Sequence, residues 1–70
     1  MITLKQISNK LAEAIKHSGM TQTELANSLG IVQPNISQYI KGKRLPALDT
    51  FANLCKILGL DANDVLCISD

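Results

Sequence analysis

The chain has 70 residues, of which 46% are apolar, and a formal net charge of +1; that length suits one small core, so a single domain over residues 1–70 with no second domain is expected. No apolar run approaches the roughly 20 residues of a membrane span, and no charged-then-apolar leader opens the chain, so a cytoplasmic protein is expected. The charge is segregated rather than large: Lys41, Lys43 and Arg44 cluster in a stretch without acids from Asn27 to Ala47, whereas Asp61, Asp64 and Asp70 fill a C-terminal end without cations.

Thr3 and Gln6 have the spacing of a capping box, and Leu4, Ile7, Leu11, Ala14 and Ile15 then recur at helical intervals up to Gly19, which predicts helix 1. His17, near its C-terminal end, is read as a favourable partner of the helix dipole with no site role. Thr21 and Glu24 repeat the capping box, Leu25, Ala26 and Leu29 supply an apolar face, and Gly30 is suited to the left-handed stop of a short helix 2. Beyond Ile31 and Val32, Pro34 suits the first turn of helix 3, whose Ile36, Tyr39 and Ile40 face inward before Gly42 ends it.

Lys43 to Pro46 forms a connector, and the segment from Leu48 to Leu58 is apolar on most sides, which predicts a largely buried helix 4 at the centre of the core. Gly59 closes it, and Asp61 caps a last short helix carrying Ala62, Val65 and Leu66. The fold expected is all-α, a compact five-helix domain without strands. Two cysteines and one histidine make neither a zinc site nor a disulfide framework. Cys55 reads as a small buried hydrophobe and Cys67 as a reduced thiol near the surface. No metal, cofactor or membrane partner is implied, and no nucleophile, base and oxyanion donor converge as an enzyme requires.

Two short helices joined through Gly30, with Ala26 small at the crossing and Leu25, Leu29, Ile31, Ile36 and Tyr39 able to seal the angle, have the pattern of a helix-turn-helix over residues 22–41. The stretch from Gly19 through Leu66 resembles the lambda-repressor-like, Cro/C1 or XRE-type DNA-binding domains. The resemblance rests on Met20-Thr21-Gln22-Thr23-Glu24-Leu25-Ala26, Leu29-Gly30, Ile36-Ser37, Gly42-Lys43-Arg44, Pro46 and Leu58-Gly59-Leu60. It implies that Gln22 meets a phosphate, that Gln33 and Gln38 reach base edges with Asn35 and Ser37 beside them, and that Lys41, Lys43 and Arg44 lie along the phosphates. Elementary chemistry points the same way, since a glutamine amide pairs with adenine N6 and N7 while lysine and arginine neutralise phosphate regardless of sequence.

Three positions depart from the family's pattern. Val32 and Ala47 replace the usual hydroxyl caps of helices 3 and 4, and Ile15 and Ile40 occupy places where many relatives pair an Arg with a Glu. The expected function is a sequence-specific transcriptional regulator, read as a repressor, that binds double-stranded DNA as a homodimer through the apolar segment Val65, Leu66, Cys67 and Ile68. The competing reading is a module of the same fold that docks proteins, such as the antitoxin of a toxin partner. Gln33 and Gln38, taken without the motif, are ordinary exposed helix residues, and Lys41, Lys43 and Arg44 an ordinary solvated run. The polar, acid-free outer face of helix 3 favours DNA, because a protein-docking helix exposes aliphatic or aromatic anchors.

Overall fold

The computed structural model describes residues 1–69; Asp70, the last of the three C-terminal acids, lies outside the described residues. Five helices follow in order, α1 (Leu4–His17), α2 (Gln22–Leu29), α3 (Gln33–Ile40), α4 (Leu48–Leu58) and α5 (Ala62–Val65), with no strand among the described residues. The first two begin with complete capping boxes. At α1 the Gln6 amide donates to the Thr3 hydroxyl at 3.2 Å while Gln6 Oε1 accepts from the Thr3 amide at 2.7 Å. At α2 the Glu24 amide donates to the Thr21 hydroxyl at 3.1 Å and Glu24 accepts from the Thr21 amide at 3.0 Å. Each box satisfies two amides that a helix start would otherwise leave without partners.

Gly30 ends α2 with φ of 68°, a left-handed conformation that side chains disfavour. Its own amide donates to Asn27, and the Ile31 amide reaches back to the Ala26 carbonyl at 3.0 Å. This pair of bonds turns the chain at once into α3. α3 starts at Val32 with no side-chain cap, as expected, and Pro34 stands in its first turn. α4 likewise starts without a cap at Ala47, but Asp49 accepts from the Thr50 amide at 2.9 Å and occupies one free donor.

Leu11, Leu25, Ile36 and Leu54 are fully buried, one from each of the first four helices, so the centre of the core is shared. Burying each such side chain stabilises the fold by about 1.5–3 kcal/mol. Ile15, Ala26, Tyr39 and Val65 extend the cluster, and Met20, Leu29, Ile31, Ile40, Phe51 and Leu58 pack around it half-exposed. The structure corrects the expectation that α4 is the central helix. Only Leu54 and Cys55 of α4 are buried, while Leu48 is 87% exposed. α4 meets α2 along one side and has solvent on the other, so its apolar composition exceeds what its neighbours cover. Leu4, expected on the inward face of α1, is also exposed, because the first turn of α1 projects past the core.

α5 packs on α1, with an ion pair between Lys10 and Asp64 at 3.8 Å whose exposed side chains contribute little to stability. Burial and the charge of Asp61 raise the pKa of the Cys55 thiol, in keeping with an inert core position. Cys67 adopts a φ of 63°, the left-handed conformation in which a residue other than glycine is strained by roughly 1–2 kcal/mol.

Candidate nucleic-acid interface

α2 and α3 are held by Leu25, Ala26, Ile36 and Tyr39 on their shared inner side. That burial decides which residues of α3 face outward. Gln33 and Gln38 are exposed, with Asn35 and Ser37 half-buried between them. Gln22, the first residue of α2, and Gln33, Ser37, Gln38 and Lys41 come together with Pro34 around one cleft of about 400 Å³. Five of the eight residues singled out in the sequence thus share one concave surface. Its lining is amides, a hydroxyl and one ammonium, and no carboxylate.

Lys43 and Arg44 lie outside that cleft. Lys41 joins the two groups, since it lines both the cleft and a second cavity that Lys43 and Arg44 border. The end of α3 sets this path: the Gly42 amide donates to Tyr39 at 3.2 Å and the Lys43 amide to Gln38 at 3.0 Å, with Gly42 at φ of 74°. The chain therefore reverses immediately after α3 and carries its cations past the helix end. Asn35 points to the same group, because Arg44 Nη1 donates to Asn35 Oδ1 at 3.3 Å. That bond restrains the guanidinium beside α3 and occupies the Asn35 oxygen.

The second cavity contains residues the sequence pattern did not single out. Lys5, Ser8 and Asn9 of α1 face Lys41, Lys43 and Arg44 across it. No helical period or local motif relates those residues, because only the packing of α1 against the end of α3 brings them together. Pro34, read as a helix-start signal alone, is also part of the first cleft.

Similarity to known proteins agrees with this geometry. A helix-turn-helix family model matches residues 11–65. Over 40 residues the chain is 45% identical to the HTH-type transcriptional regulators for the conjugative elements R391 from Providencia rettgeri, SXT from Vibrio cholerae and pMERPH from Shewanella putrefaciens. The aligned stretch is 57% of this chain and 19% of each of those proteins, so it spans about a fifth of their length. Among solved structures, the clp gene regulator ClgR from C. glutamicum superposes with a TM-score of 0.76 over 93% of this chain and 83% of that one. At 23% identity this is a likeness of fold. With the family model spanning α2 and α3 entire and most of the remaining helices, the chain belongs to the helix-turn-helix family, of Cro/C1 type.

Proposed function

We propose that the chain is the DNA-reading domain of a transcriptional regulator, acting in the cytoplasm as a repressor, with α3 entering the major groove of its operator. The observation that carries this reading is the acid-free cleft in which Gln22, Gln33, Ser37, Gln38 and Lys41 converge beside the Lys43 and Arg44 connector. Gln33 and Gln38 specify bases, and Lys41, Lys43 and Arg44 hold phosphates without sequence preference. The named regulators of conjugative elements support the regulatory role.

One recognition helix covers few base pairs, so two copies are proposed to read half-sites about 34 Å apart. Val65 is not available as the contact between them, because it is 4% exposed within its own core; of the expected segment, Ile68 remains exposed. A protein-docking module is disfavoured by the absence of an apolar anchor on α3 beyond the rim residues Val32 and Pro34.

Selection of bound duplexes from a random pool tests the reading, and a palindromic sequence is the expected result. On that duplex Gln33→Ala or Gln38→Ala weakens binding by about 1–3 kcal/mol at one base pair and leaves scrambled DNA nearly unaffected. Lys43→Ala or Arg44→Ala weakens both duplexes alike and lowers the salt slope by about one for each lost phosphate. Equal losses on both duplexes for the glutamine variants would remove their role in specificity.

A further inference from the structure

The second cavity, about 480 Å³ and open to solvent, lies between the first turns of α1 and the chain reversal after α3. A water occupies roughly 30 Å³ in the liquid, so this volume holds a much larger group together with its hydration. Its cations are Lys5 from the first turn of α1 and Lys41, Lys43 and Arg44 from the segment at the end of α3. The single ion pair among the described residues joins Lys10 to Asp64, so none of the four is neutralised by a salt bridge there. The lining contains no carboxylate. Four like charges converge where nothing on the protein balances them, an arrangement that costs repulsion unless an anion is the partner.

The two segments that form the cavity fit closely at Ser8. Ser8 is 6% exposed, and its hydroxyl is buried with no hydrogen-bond partner. A buried hydroxyl left unpaired is costly. It sits directly beneath Gly42, where an added Cβ would lie 2.9 Å from the Ser8 oxygen. Gly42 therefore covers the hydroxyl, and its lack of a side chain lets the turn that carries Lys43 and Arg44 approach α1.

We propose that this cavity seats a backbone phosphate of the bound DNA, held by Lys5 of α1 together with Lys43 and Arg44, with Asn9 as a neutral donor. The site rests on the DNA-binding reading and extends it to α1. Lys41, shared with the reading cleft, makes the two surfaces one track. A phosphate contact carries no sequence information and would act by fixing the register and orientation of α3 on the duplex.

The test is a salt titration of the intact chain on its selected duplex and on a scrambled one. Lys5→Ala is expected to weaken both equally and to lower the logarithmic salt slope by about one, as Lys43→Ala does. Lys16→Ala, exposed on the far end of the same helix, leaves the slope unchanged. Asn9 is exposed and its side chain has no hydrogen-bond partner among the described residues, so Asn9→Ala maintains the Tm while both duplexes bind about two- to tenfold more weakly. A duplex with one methylphosphonate at the contacted position makes Lys5→Ala and the wild type bind alike. If Lys5→Ala keeps the wild-type slope while Lys43→Ala lowers it, the α1 site is overturned and the DNA reading stands. If the wild type binds no duplex at any salt concentration, both fail. Inorganic phosphate supplies the last arm: saturable shifts of the Lys5 and Ser8 amides that duplex DNA does not displace would assign the site to free phosphate and overturn its place on DNA.

Discussion

α2 and α3 are eight residues each and bury two side chains each, yet they are stabilised from different sources. α2 has a capping box at its start and a left-handed glycine at its end. α3 has an uncapped start at Val32, and what holds it is burial of Ile36 and Tyr39 between α1 and α2. A helix of two turns is too short to persist alone in water, so α3 exists because its inner side is buried. Its outer side then has no structural duty. Gln33 and Gln38 are exposed, and among the described residues their side-chain amides have no hydrogen-bond partner, which leaves them for a ligand.

The largest effect that sharpens this contrast is expected from Ile36→Ala. Ile36 is fully buried, and truncation to Ala costs about 2–5 kcal/mol. That is a large part of the roughly 3–10 kcal/mol that a chain of this size commands. Amide exchange should then accelerate more in α3 than in α2, whose caps remain. Equal acceleration in both helices would mean that the pair unfolds as one unit and that the distinction has no energetic content.

The next effect concerns the last turn of α3. Ile15 is 3% exposed and Ile40 packs half-buried on the same core cluster, both apolar at positions where the family resemblance leads one to expect opposite charges. Ile40→Glu puts a carboxylate against that surface without a partner and is expected to cost about 2–3 kcal/mol, reduced from a full burial penalty by its partial exposure. Adding Ile15→Arg should recover part of the loss. A double variant no more stable than Ile40→Glu, measured by denaturant unfolding, would show that the two positions do not communicate.

What could be read from the sequence divides along the same line. The limits of α1 and α2 were legible because Thr3, Gln6, Thr21, Glu24 and Gly30 act on the backbone within a few residues of themselves. The outward position of Gln33 and Gln38 was legible because an apolar face on α3 implies an opposite polar one, whereas Gln22 was singled out only through the family resemblance and its place in the same cleft was not legible. The place of α4 was not: a run of apolar side chains does not state whether neighbours exist on every side, and Leu48 and Ile57 turn out exposed. Val65, read as part of a contact between copies, is spent in the protomer's own core. Lys5, Ser8 and Asn9 were invisible as a group with Lys43, because no local period relates residues that meet only through tertiary packing.

Exchanging the caps brings the contrast to single residues. Val32→Ser gives α3 the hydroxyl cap it lacks and is expected to raise stability by about 1 kcal/mol, since the 63% exposed Val32 surrenders little packing. Thr21→Ala removes the cap of α2 and should lower stability by about the same amount. Thermal melts of the two variants are expected to move in opposite directions. A neutral Val32→Ser would indicate that water already satisfies the first amides of α3 as well as a side chain does.

The smallest effect is a pH dependence confined to one helix start. The two capping boxes differ in a single chemical respect: α1 closes its box with the neutral amide of Gln6, and α2 with the carboxylate of Glu24. Hydrogen bonds from the Thr21 amide and then the Thr21 side chain favour the charged form and hold the Glu24 pKa below its ordinary value. A group depressed in the folded state adds stability above its unfolded pKa and loses it as pH falls through the folded one. The contribution of Glu24 is therefore intact at neutral pH and disappears on acidification below the ordinary carboxylate value of about 4.3. Glu24→Gln keeps an acceptor that does not titrate, so its stability difference from the wild type should shift across that acid range and be constant above it. In an NMR titration the Thr21 amide should move with a midpoint below the ordinary carboxylate value. The Thr3 amide, bonded to Gln6, should not follow Glu24. A Thr21 midpoint at the ordinary value would mean that the α2 box is open in solution, and α2 would then owe its start, as α3 does, to tertiary packing.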